Sequence, residues 1–146
     1  MNVLVTGANG FIGKNLVFRL QEEKINFTTL ISTDSDFDLE SRLKKCDFIV
    51  HLAGVNRAAN EDDLRKGNVG LTNKIVDILQ KHNLKTPVIY SSSIQAEMDN
   101  AYGSSKRFSE DVLTELSEKN GNLVYNYRLP NVFGKWCRPN YNSAVA

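Results

Sequence analysis

The chain has 146 residues, 41% of them apolar and 24% charged, with 18 Lys plus Arg against 17 Asp plus Glu and a net charge of +1. This length predicts one domain, and the apolar share excludes wholesale disorder. The balanced charge gives no field that would favour nucleic acid or an anionic membrane.

The opening Met1-Asn2-Val3-Leu4-Val5-Thr6-Gly7 has no basic segment leading a long apolar stretch, so no signal peptide is expected. Asn2 to Thr6 reads as a short buried strand, followed by a glycine-rich turn. Lys14 to Glu23 carries Leu16, Val17 and Leu20 at helical spacing. Phe27 to Ile31 reads as a second strand. The loop that follows holds Asp34 and Asp36, read as solvated. Asp47 to Leu52 is a near-continuous apolar run, the pattern of a strand covered on both faces. Glu61 to Lys66 predicts a short helical piece, and Asn68 to His82 a longer helix with Leu71, Ile75, Ile78 and Leu79 buried. Pro87 precedes the strand Val88 to Ser92, where its missing N–H is tolerable. Tyr102 to Lys119 predicts a helix with Phe108, Val112, Leu113 and Leu116 on one face, and Leu123 to Leu129 a fifth strand. His51 reads as a packed strand histidine and His82 as a solvated helix-end residue. Cys137 beside Trp136 reads as packing. The two cysteines and two histidines have no metal-site spacing, so no metal is expected, and a reduced cytoplasmic setting is the simplest reading. No apolar run approaches the ~20 residues of a membrane-spanning helix.

Strands alternating with helices predict βαβ units. Right-handed crossovers then favour an α/β fold, a doubly wound parallel sheet of five strands of the Rossmann type.

Gly7-Ala8-Asn9-Gly10-Phe11-Ile12-Gly13 follows the first strand and opens the first helix. One glycine allows the tight bend, another lets backbone approach a pyrophosphate, and the third permits close helix-on-strand packing. The helix N-terminus adds free N–H groups for the phosphates. Phe11 and Ile12 are expected beneath the turn. The end of the second strand normally separates NAD from NADP, an acidic residue taking the ribose 2′-hydroxyl and a basic one the 2′-phosphate. Here Ser32 and Thr33 offer hydroxyls and Asp34 comes late. Lys14 and Arg57 are candidate positive partners; these residues leave the choice open, with a slight lean to NADP(H) over NAD(H).

Tyr102-Gly103-Ser104-Ser105-Lys106 is a YxxxK pair, one turn apart on a helix face. A phenol with an ordinary pKa of about 10 becomes a useful proton donor when an ammonium stabilises its phenolate. Ser91-Ser92-Ser93 ends the fourth strand, at the sheet edge where open α/β folds bind ligands. A hydroxyl there can hold a substrate carbonyl while Tyr102 protonates it.

With these pieces in place, the chain resembles the extended short-chain dehydrogenase/reductases. Besides TGANGFIG, the segment Phe37-Asp38-Leu39 resembles the Asp-apolar pair that touches adenine, and His51-Leu52-Ala53-Gly54 the segment under the cofactor. Asn68, at the opening of the long helix, resembles the family's structural asparagine. Ser93, Tyr102 and Lys106 match the catalytic Ser-Tyr-Lys set. Arg128-Leu129-Pro130-Asn131-Val132-Phe133-Gly134 resembles the RxxNxxG stretch leading into nucleotide-sugar binding. The resemblance implies cofactor contacts from Gly7, Asn9, Gly10, Phe11, Ile12, Gly13, Ser32, Asp38, Leu39, Leu52, Ala53, Gly54, Asn68 and Pro130. It implies substrate contacts from Asn131 and Arg57.

HLAGVNR, SSSIQA, YGSSK and NVFGKWCRPNYNS look closest to the amino-terminal reductase domain of the bifunctional capsular-polysaccharide enzymes that make UDP-N-acetyl-L-fucosamine. That likeness implies an NADPH-dependent reductase of a UDP-linked 4-keto-6-deoxy amino sugar, acting as a homodimer. The expected domain is a dinucleotide-binding domain over residues 1–146, cut short before the substrate lobe and poorly active alone. The alternatives are an NAD-dependent nucleotide-sugar epimerase and a non-catalytic dinucleotide-binding module. A dehydratase fits less well, because Ser93 is followed by Ile94-Gln95-Ala96, with Glu97 and Asp99 off register and read as loop residues.

Overall fold

The computed structural model describes residues 1–56 and 60–137. Five parallel strands form one sheet in the order β2-β1-β3-β4-β5, with β1 at Asn2–Thr6, β2 at Asn26–Leu30, β3 at Phe48–His51, β4 at Val88–Ser93 and β5 at Val124–Leu129. Four helices connect them: α1 (Phe11–Glu22), α2 (Asp36–Leu43), α3 (Glu61–Lys81) and α4 (Ala101–Asn120). A single 3₁₀ turn, Ile94–Glu97, lies between β4 and α4. The doubly wound sheet expected from the alternating pattern is the one found.

Strand pleating sorts side chains onto two faces. On one face Leu4, Leu30, Ile49, Val88 and Tyr90 meet Leu39 and Leu43 of α2, Ile75 and Leu79 of α3, and Leu113 and Leu116 of α4. On the other, Val3 and Val5 meet Leu20 of α1, with Leu16, Val17, Phe27, Phe48 and Val50 around them. Each fully buried Leu or Ile contributes about 1.5–3 kcal/mol.

Three local readings change. The loop after β2 contains a helix, α2. Ser35 accepts a bond from the Asp38 N–H while the Asp38 carboxylate accepts from the Ser35 N–H, a complete capping box. Only Leu39 and Leu43 of its eight residues are buried, too few to show a period. The two predicted helical pieces between Glu61 and His82 are one helix that runs through Gly67 and Gly70. Asn68 therefore sits in its interior instead of at its start. Packing on α4 overrides the roughly 1 kcal/mol propensity cost of each glycine. Phe108, expected in the core, is 46% exposed with the Arg65 guanidinium 5.0 Å above its ring.

Strand order reverses between β1 and β3, because β2 lies to one side of β1 and β3 and β4 to the other. The crevice at the carboxyl ends of those two strands is where this architecture takes ligands.

Candidate active site

The glycine turn lies on one wall of that crevice. Gly7 has φ +69°, the left-handed region, and a Cβ there would come 2.6 Å from the Ala53 nitrogen. A Cβ on Gly13 would collide with the Gly7 carbonyl oxygen and come within 2.7 Å of Ala8 Cα. Gly10 is the N-cap of α1 and offers no side-chain cap. The first intrahelical bond runs from the Lys14 N–H to the Gly10 carbonyl at 2.9 Å. The N–H groups of Phe11, Ile12 and Gly13 are thus outside the helical ladder and sit where no side chain obstructs them. A helix start of this kind can hold a pyrophosphate. Phe11 and Ile12 are half-buried, less deeply than expected.

Two cavities flank the turn and share Gly7, Gly10, Leu52 and Gly54. The outer one, about 590 Å³, is bordered by Asn9, Ser32, Asp34, Leu39, Ala53, Lys66 and Lys74 among others. The inner one, about 180 Å³, holds Ser93, Tyr102 and Lys106 beside Phe11, Ile12, Gly13 and Pro130. The outer cavity suits an adenosine and the inner one a nicotinamide with a small reacting group. The residues present therefore fit a dinucleotide.

The inner cavity owes its shape to α4. Asn100 caps the helix through the Gly103 N–H at 2.8 Å. Gly103 packs so tightly on the Gln95 carbonyl that a Cβ would collide with it. That contact sets the first turn of α4 against the turn after β4, bringing Tyr102 to Ser93. Ser93 itself caps the 3₁₀ turn through the Gln95 N–H at 3.2 Å. Lys106 is 4% exposed. Its Nζ donates to the Ser91 carbonyl at 3.0 Å and lies 5.0 Å from the Tyr90 ring and 5.9 Å from the Tyr102 ring. Burial lowers its pKa to about 8, against the opposing pull of Glu110 one turn away. The buried Glu110 carboxylate is held by Arg128 through Nε at 2.9 Å and NH2 at 2.7 Å, and Arg128 NH1 reaches Glu97 at 2.7 Å. Glu97 is therefore part of an ion-pair network.

Behind the cavities runs a buried hydrogen-bond chain. The Ala53 N–H donates to Thr6 Oγ1 at 3.1 Å, and Thr6 Oγ1 lies 2.7 Å from His51 Nδ1. His51 Nε2 lies 2.9 Å from Thr72 Oγ1, which donates to the Asn68 carbonyl. Since the Thr72 hydroxyl uses its proton on that carbonyl, His51 donates from Nε2 and accepts at Nδ1. Burial holds its pKa down to about 3, so the ring stays neutral. Asn68 is the second hub. Its Oδ1 accepts the Val55 N–H at 2.8 Å, and its Nδ2 donates to the Val55 carbonyl at 3.0 Å and Ser105 Oγ at 2.9 Å. It fixes the Gly54–Val55 wall against α4.

Most of the predicted site residues thus converge on one crevice. Asp38 does not line either cavity; its carboxylate is occupied in the capping box, and Asp36 and Leu39 line the wall there. Asn131 is exposed beside Pro130, outside both linings. Arg57 lies outside the described residues. Asp34 is no solvated loop residue: it accepts from Arg42 and from the Ile31 N–H. Asp36 pairs with Lys74 at 2.6 Å. His82 also has a partner, Glu40, at 2.6 Å. Lys66 and Lys74 carry no sequence motif and went unnoticed; only their place on the cavity-facing side of α3 reveals them.

Comparison with known proteins agrees with this geometry. The chain matches the NAD dependent epimerase/dehydratase family over residues 3–146. It is similar to a UDP-2-acetamido-2,6-beta-L-arabino-hexul-4-ose reductase of Pseudomonas aeruginosa, with 49% identity over all of this chain and 40% of the relative. Among solved structures it is similar to the capsular polysaccharide assembling protein CapF of Staphylococcus aureus, with TM-score 0.84 and 48% identity over 99% of this chain and 39% of that one. A UDP-glucose 4-epimerase of Thermotoga maritima shares the fold at TM-score 0.85 and 22% identity, over 98% of this chain and 60% of that one. The chain thus spans about 40% of the length of the reductase it matches. The resemblance read from the glycine turn, the YxxxK pair and the RxxNxxG stretch is borne out: the chain belongs to the NAD dependent epimerase/dehydratase family.

Proposed function

We propose that this domain is the cofactor-binding and catalytic half of an NADPH-dependent reductase of a UDP-linked 4-keto-6-deoxy amino sugar, used in capsule or surface-polysaccharide synthesis in the cytoplasm. The observation that carries the reading is the inner cavity, where Ser93, Tyr102 and Lys106 meet beside the glycine cradle. The likeness to the Pseudomonas reductase supports the substrate class.

The dinucleotide, when bound, supplies the hydride that reduces a carbonyl. Everything else falls to the chain. The N–H groups at the start of α1 and the bare glycine surfaces hold the pyrophosphate. Leu52, Ala53 and Gly54 form the floor under the rings. Ser93 holds the carbonyl oxygen by hydrogen bonding. Tyr102 delivers a proton to that oxygen as negative charge develops on it. Lys106, charged below pH 8, favours the phenolate left behind. Its own ammonium is oriented by the Ser91 carbonyl. Asn131 and Arg57 are proposed to reach the sugar nucleotide. The outward faces of α3 and α4 are proposed to pair two copies, which sedimentation would report as a mass twice that of the chain.

The test is Tyr102→Phe. NADPH affinity is expected to stay unchanged while reduction of the 4-keto sugar falls by about 100-fold or more. Equal loss of both, or loss of neither, would remove Tyr102 from this role. NADPH consumed in proportion to sugar reduced supports a reductase; turnover with a retained, unconsumed nucleotide would indicate an epimerase.

A further inference from the structure

The rim of the outer cavity holds a carboxylate with an unusual partner. Asp34 follows β2 by four residues and borders the cavity beside Ser32 and Ser35. A free carboxylate in this region would accept the adenosine ribose 2′-hydroxyl and select NAD. Asp34 is not free. Its Oδ2 accepts the Ile31 N–H at 2.7 Å and Arg42 NH1 at 2.6 Å, and its Oδ1 accepts Arg42 NH2 at 3.1 Å. Arg42 is itself anchored. It leaves the last turn of α2, which Leu39 and Leu43 bolt to the core. Its NH1 also donates to the Thr29 carbonyl of β2, which is at one edge of the sheet among the described residues. The guanidinium is thus held from three directions in the fork geometry that suits a carboxylate.

The neighbouring carboxylate on the rim is paired as well. Asp36 on the rim is paired with Lys74. Lys66, also on the rim, has no ion-pair partner among the described residues. Lys66 and Ser32 border the same cavity, and the Asp38 carboxylate lies within electrostatic range of Arg42.

We propose that Arg42 sets the cofactor preference by masking Asp34: the ion pair occupies the carboxylate that would recognise a ribose 2′-hydroxyl, and the Lys66 ammonium and Ser32 hydroxyl on the same cavity are there for a 2′-phosphate. This rests on the dinucleotide reading above and goes beyond it by naming the residue that chooses between the two dinucleotides. A residue eight positions from the carboxylate, on another element, does the selecting.

The test is equilibrium titration of NADPH and NADH against the 146-residue chain and three variants, with far-UV circular dichroism as the folding control. The unmodified chain is expected to bind NADPH at least about tenfold more tightly than NADH. Arg42→Met unmasks Asp34, so the NADPH-to-NADH affinity ratio is expected to fall by about tenfold or more, with NADH binding itself tightened. The double variant Arg42→Met/Asp34→Asn is expected to lose that NADH gain. Asp34→Asn alone is expected to leave NADH affinity within about twofold of the unmodified chain, since the carboxylate is already masked. An Asp34→Asn chain that loses NADH binding by tenfold would overturn the proposal, because Asp34 would then already be reading the ribose. So would a folded Arg42→Met chain with an unchanged ratio, or an unmodified chain that prefers NADH. If Arg42→Met does not fold, the Asp34→Asn result decides alone. An unmodified chain that binds neither nucleotide would overturn the dinucleotide reading, and this inference with it.

Discussion

Replacing Lys106 by Met is expected to stabilise the protein at neutral pH while abolishing its chemistry. Lys106 is 4% exposed, and burial lowers its pKa from 10.5 to about 8. Its bond to the Ser91 carbonyl, its contact with the Tyr90 ring and the charge of Glu110 offset only part of that burial. The fall in pKa corresponds to about 3 kcal/mol of stability withheld from the folded state wherever the group is charged in both states. Between pH 8 and pH 10.5 the unfolded chain binds more protons than the folded one, so the stability of the unmodified protein rises with pH across that window. By about pH 9.5 roughly 2 kcal/mol of the penalty is relieved. Met has nearly the same stem and no titrating group. Urea unfolding of both proteins, followed by circular dichroism from about pH 6 to about pH 9.5, should therefore show Lys106→Met ahead at the acid end, with its lead shrinking by about 2 kcal/mol at the alkaline end. A lead that stays constant across the range would refute the reasoning, since the ammonium would then not be the source of the penalty.

Two further outcomes follow from the same crevice. Gly13→Ala places a Cβ against the Gly7 carbonyl and 2.7 Å from Ala8 Cα; the turn must open, and overpacking of this kind costs about 1–3 kcal/mol. Both the urea midpoint and NADPH affinity are expected to fall, and unchanged affinity would remove the turn from the phosphate site. His51 makes the fold acid-sensitive: its pKa is about 3 when folded, against an ordinary 6.5, so stability present above pH 6.5 is lost as pH falls. The loss reaches about 3 kcal/mol near pH 4.5, and His51→Gln should flatten that limb of the pH profile.

The sequence told most where chemistry demands a fixed local spacing. Three glycines between a strand and a helix, and a tyrosine one turn from a lysine, keep a fixed spacing within a few residues, so they can be read in order along the chain. Ser93 could be read because it ends a strand whose carboxyl end must face the ligand side. What stayed hidden was decided between elements. Asp34 looked like a loop residue because its partner, Arg42, lies on a helix with only two buried residues. Asp38 looked available for adenine, but its carboxylate closes a capping box that Ser35 makes with it, a signal present in the sequence as a serine three residues ahead of an aspartate. The break read before Asn68 falls at Gly67, and packing of α3 on α4 carries the helix through that glycine.

These misreadings share a physical pattern that bears on function. The crevice has its glycine turn at the junction of two cavities, and a different polar system steadies each side. The outer side rests on exposed and half-buried ion pairs, Asp34 with Arg42 and Asp36 with Lys74, whose strength depends on salt and whose geometry one substitution can change. The inner side rests on buried groups, Lys106, Glu110, Asn68 and His51, each bonded across to another element. On the proposed reading, a change in cofactor choice needs to touch only the outer rim. A change in the inner side disturbs β1, β3, α3 and α4 together, through the chain that joins Thr6, His51, Thr72 and Asn68. On this argument cofactor preference is the property of the domain most open to substitution, and the proton-delivering geometry the least.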